Sequence, residues 1–298
     1  MNDMLTGILP VNKPGGWTSF DVAGKLRGVL HTKKIGHGGT LDPMATGVLP
    51  VLVGKATKCF GIMPDSSKSY TAGFRLGLST DTQDISGSVL SESDKQICLD
   101  EINVVLETLR GDIMQIPPMY SAVKVGGRKL YELAREGKVI EREPRPARVD
   151  RLEVTAYDEQ SRCGTLEIDC GKGTYVRTII HDLGEALGCG GVMTTLVRTR
   201  SDGITLDRCL TIPEIEKLCE NGIPEDLLIP VDTVFSVYDE IRLGEHETRL
   251  YKNGVRLRPD QTGREICPGL FRVYGSDGGF LGTGGFEGGA FRCRTNFY

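Results

Sequence analysis

Residues 36–50 read Gly-His-Gly-Gly-Thr-Leu-Asp-Pro-Met-Ala-Thr-Gly-Val-Leu-Pro. One carboxylate, Asp42, sits in a frame of turn-forming residues. Gly36, Gly38 and Gly39 open backbone angles that other residues resist. Pro43 fixes its own φ and steers Asp42 away from the helical region. The apolar run at 48–53 anchors the loop on one side. A short rigid element that presents one carboxylate in a fixed direction is what a reactive group needs. Glycine, Asp and Pro also make ordinary surface turns, so the loop alone does not settle the chemistry. It lacks the Gly-Lys-Ser/Thr of a P-loop and does not fit Gly-x-Gly-x-x-Gly, which argues against a phosphate-cradling transferase.

Around this loop the chain mixes strands and helices. Residues 69–78 alternate, with Tyr70, Ala72, Phe74 and Leu76 on one face, as a half-buried strand does. Leu166, Ile168 and Cys170 repeat the pattern. Leu99, Ile102, Leu106 and Leu109 fall at helical spacing before Gly111, and Val176, Ile179, Ile180, Leu183 and Leu187 before Gly188. Thr211-Ile-Pro-Glu214 predicts a capped helix that Gly222 closes. These interspersed elements predict an α+β fold with a mainly antiparallel mixed sheet flanked by helices. The composition changes near Pro230. From Ser236 onward helical periodicity is lost and short apolar runs alternate with glycines, which predicts a small all-β domain over 236–298 behind a larger one over 1–230.

With 298 residues, 39% hydrophobic and 26% charged, the chain suits two soluble domains. No apolar run approaches a membrane span and the start has no basic-then-apolar signal pattern, which predicts a cytoplasmic protein without membrane contact. The nine cysteines are scattered without a Cys-x-x-Cys pair, and the four histidines do not cluster with them. Neither a metal site nor a disulfide is expected. The net charge of −4 argues against a generally basic nucleic-acid binder. The local distribution differs, because residues 123–148 carry eight cations against four acids, a local +4. A short helix is expected over 128–136, with Gly126-Gly127 and Glu143-Pro-Arg-Pro146 as turns or hinges. Such a segment (about 120–150) is either a solvated mixed-charge hairpin or a basic arm whose Lys124, Arg128, Lys129, Arg142 and Arg145 track a phosphate backbone.

Taken whole, the 36–50 string resembles the catalytic motif of the TruB-type pseudouridine synthases, which isomerise uridine 55 in the T-arm of tRNA. Further segments match the same family in order: Val11-Asn-Lys-Pro-Gly-Gly-Trp-Thr-Ser19, Lys68-Ser-Tyr70 with Leu76-Gly-Leu-Ser-Thr-Asp-Thr-Gln-Asp84, Ile116-Pro-Pro-Met-Tyr-Ser-Ala-Val-Lys124, and Cys170-Gly-Lys-Gly-Thr-Tyr-Val-Arg-Thr178. Leu196-Val-Arg-Thr-Arg200 follows where the family has its Leu-Arg-rich stretch. The glycine-rich C-terminus resembles a PUA-like RNA-binding domain more loosely, and Met44 stands where the family often has leucine.

The resemblance implies a reaction and its parts. Pseudouridine formation breaks the C1′–N1 bond, turns the uracil and rejoins it through C5, so the target base must leave its stack. The chemistry is redox-neutral and needs no group donor, so no cofactor is expected. It needs a carboxylate near the sugar, a role that falls to Asp42. Burial would push a lone carboxylate towards neutrality, and the resemblance assigns Arg177 to keep it ionised. Tyr70, by pattern a core tyrosine, becomes the ring that stacks on the flipped uracil. Leu196 covers the base from the other side, His37 holds the gap in the T-loop, Tyr175 packs near Arg177, and Lys13 and Pro14 brace the loop. The partner implied is the tRNA T-arm. The near-terminal Lys-Pro motif and the lack of a Lys-rich tail favour a stand-alone bacterial form, monomeric and without a guide RNA. The competing reading is an RNA-binding or tRNA-folding protein that uses the same groove without chemistry and tolerates loss of Asp42.

Overall fold

The computed structural model describes residues 5–298; most of the N-terminal stretch read above for a signal lies outside the described residues. A nine-stranded sheet forms the backbone of the larger domain. Its strands are β1 (Gly7–Lys13), β2 (Ile35–His37), β3 (Thr46–Val53), β4 (Lys68–Leu76), β7 (Gly111–Gln115), β10 (Arg145–Asp158), β11 (Cys163–Cys170), β12 (Gly191–Ser201) and β13 (Ile204–Thr205). Two short hairpins stand apart, β5 (Leu78–Thr80) with β6 (Val89–Glu92), and β8 (Lys124–Val125) with β9 (Arg128–Lys129). The sheet order is β1-β3-β12-β4-β11-β10-β7, with β2 also on β3 and β13 on β12. Only β12 and β3 pair in parallel, so the sheet is mainly antiparallel as expected.

Helices α1 (Ser19–Val29), α2 (Leu99–Thr108), α3 (Leu130–Arg135), α4 (Val176–Ala186) and α5 (Ile212–Cys219) follow the sequence periodicity. Thr18 and Thr211 cap α1 and α5 with reciprocal capping boxes, each satisfying two otherwise orphaned N–H groups. Apolar residues of α1 and α5 build one core with β1 and β3. Those of α2 and α4 build another with β4, β10, β11 and β12. The segment expected as a helix over 128–136 starts two residues late. Arg128 and Lys129 belong to a hairpin closed by Gly126-Gly127, whose positive φ angles make the tight turn. Pro144 is followed not by a hinge but by the long strand β10, where Arg145 and Pro146 pair with Gln115 and Met114 of the edge strand β7.

After α6 (Val231–Val234) come β14 (Glu240–Arg242), α7 (Glu245–Lys252), β15 (Phe271–Tyr274), β16 (Phe280–Glu287) and β17 (Ala290–Asn296). The four strands form a separate sheet over its own apolar cluster. The expected loss of helical periodicity after Ser236 is corrected by α7. That helix buries only Thr248 and Tyr251 among charged neighbours, too narrow a stripe to register as apolar periodicity. The small sheet is fastened to the larger domain. Phe235 stacks with Tyr238 and Phe280, and Phe297 packs on Phe235 and Phe280, in one cluster with Ile8, Val48 and Leu52.

Candidate active site

The loop between β2 and β3 is held from below. Lys13, at the end of β1 and fully buried, donates from Nζ to the carbonyls of Pro14 (2.9 Å), Trp17 (2.6 Å) and Pro43 (3.2 Å). Gly16 N–H also donates to Pro43 O at 2.8 Å, Leu41 N–H donates to Ser19 Oγ at 2.9 Å, and Ala45 N–H returns to Asp42 O at 3.1 Å. Gly47 permits the close approach of β12. Its φ is +100° and a side chain there would meet Arg198 O at 2.3 Å. The outcome is a braced turn that presents the Asp42 carboxylate to a cavity of about 1260 Å3.

Arg177 is the group this carboxylate meets. It stands in the first turn of α4, its side chain 6% exposed. Its Nε lies 3.0 Å from Asp42 Oδ2 and its Nη2 3.4 Å from Oδ1, a two-point contact across 135 positions of chain. The same guanidinium donates to Thr82 O and Tyr120 O, both at 3.0 Å, and approaches Asp84 Oδ2 at 3.5 Å. Asp84 is buried, and its Oδ1 accepts from Ser86 N–H (3.0 Å) and Thr82 Oγ1 (2.9 Å). The 81–86 loop is pinned to β12 by Ile85 N–H to Met193 O and Met193 N–H to Gln83 O. One cation is thus shared by two carboxylates. Burial pushes the Asp42 carboxyl above its usual range, Arg177 opposes that shift, and Asp84 adds to it. Asp84 was quoted in the sequence as part of the Thr-Asp-Thr loop but not given a role. No spacing rule ties it to Arg177, 93 residues on.

The remaining walls come from neighbouring strands. Tyr70 on β4 and Leu196 on β12 both line the cavity, 6% and 7% exposed. The two strands are adjacent, with Leu196 opposite Ala72 and Arg198 opposite Tyr70. Burial raises the Tyr70 phenol to about 12, so it stays protonated at neutral pH. Tyr175 caps α4 and lines the cavity too. Gln115 of β7 clamps it with a pair of bonds, Oε1 accepting from Tyr175 N–H at 2.9 Å and Nε2 donating to Tyr175 O at 3.1 Å. Gln115 and Asp84 are the supporting residues that sequence reasoning missed.

Asp42, Tyr70, Tyr175, Arg177 and Leu196 are therefore brought together, with Lys13 and Pro14 beneath them. His37 is not among them. It lies in β2 opposite Val51, one residue behind the wall that begins at Gly38, and its Nδ1 is enclosed without a partner. Burial and the Arg198 charge lower its pKa, so it is neutral. The arm cations separate by environment. Arg128 pairs with Glu136, which also takes Lys138, while Lys124 and Arg145 are exposed. Arg142 turns inward to Pro117 O at 3.2 Å. The arm reaches the cavity instead through Tyr131 and Arg135 of α3, the ring carrying Lys129 and Arg135 at 5.3 and 5.4 Å from its centroid. Arg198, in the Leu-Arg-rich stretch, is fully buried and donates to Val48 O and Gly39 O. Among the described residues no helix is long and apolar enough to cross a membrane, and no His/Cys/Asp/Glu group could hold a metal ion.

Comparison with known proteins identifies the family of the chain. Residues 27–176 match the family model "TruB family pseudouridylate synthase (N terminal domain)" and residues 177–236 the model "tRNA pseudouridylate synthase B C-terminal domain". The tRNA pseudouridine synthase B of Levilactobacillus brevis is 42% identical over 277 residues, spanning 91% of both chains. That of Pseudomonas aeruginosa is 39% identical over 283 residues, covering 94% of this chain and 91% of its own. That of Clostridium novyi is 41% identical over 285 residues, covering 94% and 95%. Among solved structures, a chain of a Cbf5–Nop10–Gar1 complex superposes with a TM-score of 0.73 over 98% of this chain and 85% of its own. At 24% identity that likeness speaks for the fold alone.

Proposed function

The chain belongs to the TruB family of pseudouridylate synthases, and from that premise we propose that it converts uridine 55 of the tRNA T-loop to pseudouridine with Asp42 as the catalytic carboxylate. It is an enzyme of tRNA modification. The observation that carries the assignment of Asp42 is its two-point contact with an Arg177 guanidinium that is itself fixed by Asp84 and two carbonyls. A carboxylate at a half-open cavity floor stays charged only beside such a cation. In this state it can attack or deprotonate at the sugar while the base turns. The Tyr70 ring stacks on the flipped uracil and, being a protonated phenol, serves as a platform and hydrogen-bond donor. Leu196 closes the other face, and the clamped Tyr175 backs Arg177. His37, neutral and held behind the loop, fills the gap in the T-loop only if β2 yields it.

In this reading the catalytic unit spans 1–230, the small sheet over 236–298 is an RNA-binding PUA-like unit, and the arm tracks the RNA backbone. Its exposed cations Lys124 and Arg145 suit that task better than Arg128 and Arg142, which already have partners, and Lys129 stands beside them on the Tyr131 ring. The enzyme acts as a monomer without guide RNA or cofactor, in the cytoplasm. The bacterial relatives match it along more than nine-tenths of their own length. The test is to incubate the protein with unmodified tRNA and map pseudouridine along it. Modification confined to position 55, absent with Asp42→Asn, is the expected result. tRNA binding with no pseudouridine at any position would favour an RNA-folding protein instead. Tyr70→Phe should bind and stack normally, whereas Tyr70→Leu should lose about 1–3 kcal/mol of base stacking.

A further inference from the structure

The cavity holds a second charged pair that the reaction described above does not use. Lys68 and Asp202 both line it. Lys68 opens β4 two residues before Tyr70, so its side chain leaves the same face of the strand, about 7 Å along it. Asp202 is the first residue of the Asp202-Gly203 turn between β12 and β13, with φ of 54° and 78° as a two-residue hairpin requires. A turn aspartate ordinarily points to water. This one folds inward, its side chain 5% exposed against 13% for Lys68.

The two charges are close without being bonded. Lys68 Nζ stands 3.8 Å from Asp202 Oδ1, beyond hydrogen-bond distance, and donates to Ser66 O at 3.2 Å. Asp202 Oδ2 accepts from Ser201 Oγ at 2.7 Å. An ammonium has three donors, and these contacts leave it with donors to spare. A buried charge is costly unless paired and fully hydrogen-bonded, so an under-bonded ammonium in a cavity wall is poised for an incoming acceptor. Burial lowers the Lys68 pKa and raises that of Asp202, and each opposes the other's shift. The turn that leads to Asp42 lies against the pair. A Cβ on Gly39 would stand 3.5 Å from Lys68 Cε, and one on Gly38 3.6 Å from Asp202 Oδ2. The other buried cations of the site are committed, Arg177 to two carboxylates, Arg198 and Lys13 to backbone carbonyls.

We propose that Lys68 is a substrate-binding residue, its ammonium taking a non-bridging oxygen of the phosphodiester that flanks the flipped nucleotide, with Asp202 holding the ammonium in place. Lys68 and Tyr70 would then grip one nucleotide at its phosphate and its base. This rests on the reading of the protein as an RNA pseudouridine synthase. The test uses the full chain and a T-arm stem-loop in which the linkage 5′ or 3′ to the target uridine is replaced by an uncharged methylphosphonate. Lys68→Met alone would leave Asp202 unpaired, so the comparison protein is Lys68→Met/Asp202→Asn, with Lys68→Arg retaining the charge. At one of the two linkages the wild type and Lys68→Arg should bind about tenfold more weakly, the scale of one charge-assisted hydrogen bond. The neutral pair should change less than about twofold. An equal loss in wild type and neutral pair, or no loss for the wild type at either linkage, overturns the proposal. Turnover of the all-phosphate stem-loop by the wild type is scored separately, and its absence would count against the enzymatic reading itself.

Discussion

Arg177 and Arg128 are both arginines beside carboxylates, yet one is 6% exposed at its side chain and the other 46%. Arg177 binds two aspartates and two carbonyls in the cavity floor. Arg128 meets Glu136 at the surface of the arm. An exposed pair of that kind contributes little and exchanges partners readily. Breaking a buried network leaves an uncompensated charge and costs several kcal/mol. The difference separates two tasks. The floor is fixed before any substrate arrives, as electrostatic stabilisation of a reacting centre demands. The arm carries charges that can trade glutamate for phosphate.

The strongest way to break this contrast is at the floor. Asp42→Asn keeps shape and removes charge, and Arg177→Met removes the cation that keeps Asp42 ionised. Either should lower turnover roughly ten-thousandfold, the scale of losing a group that acts as one unit in the bond-making step. tRNA affinity should change only a few-fold in a filter-binding or fluorescence titration. Near-normal turnover by Asp42→Asn would falsify the assigned mechanism.

Asp84→Asn probes whether the second carboxylate belongs to the same unit. It should reduce kcat on the order of a hundredfold by loosening Arg177, as loss of one preorganised electrostatic contact does, with KM little changed. It also removes a negative charge that raises the Asp42 pKa. The acid limb of the kcat profile, which follows ionisation of Asp42, should therefore move to lower pH. An acid limb that stays in place would show that Asp84 supports the fold alone.

Much of this was legible in the sequence. The strands at 68–76 and 163–170 alternate cleanly, and the helices at 99–108 and 176–186 show their periodicity and glycine stops. The loop around Asp42 announces itself because glycine and proline dictate backbone angles locally. What could not be read was contact across the fold. Arg177 and Asp84 meet only because α4 and the 81–86 loop both pack beside β12, and Gln115 reaches Tyr175 across 60 positions. The inward turn of Asp202 was hidden for the same reason, since Asp-Gly reads as a solvent turn. The arm's formal charge was visible, but not which cations were already spent on Glu136 or Pro117.

A smaller effect sharpens the role of Lys13. Burial lowers its pKa to about 8. The unfolded chain keeps that lysine protonated to about pH 10.5, so between pH 8 and pH 10 the unfolded state binds more protons and stability rises with pH. The buried thiols Cys59 and Cys170, raised to about 12 and about 11, act in the opposite sense. They are common to the wild type and Lys13→Met and cancel in the difference. Denaturant midpoints should show the wild type gaining about 1–2 kcal/mol on Lys13→Met over that range. A flat difference would mean that Lys13 already sees solvent.

The least drastic changes belong to the arm, and they test the other half of the contrast. Each phosphate contact releases counterions, so log affinity falls with log salt by about 0.9 per contact on a duplex. Replacing Lys124, Lys129, Arg135 and Arg145 together by Gln should weaken tRNA binding and flatten that slope. Arg128→Gln alone should do less, because part of its charge is already met by Glu136. Arg142→Gln should lower Tm with the slope unchanged, since that guanidinium turns inward to Pro117 O. None of these changes should alter which uridine is modified, because backbone contacts set position and do not read bases. The measurement is tRNA affinity across a salt series for the four proteins. Identical slopes throughout would reduce the arm to a solvated hairpin. The RNA footprint would then have to lie on the exposed Lys172 at the cavity rim and on the small C-terminal sheet.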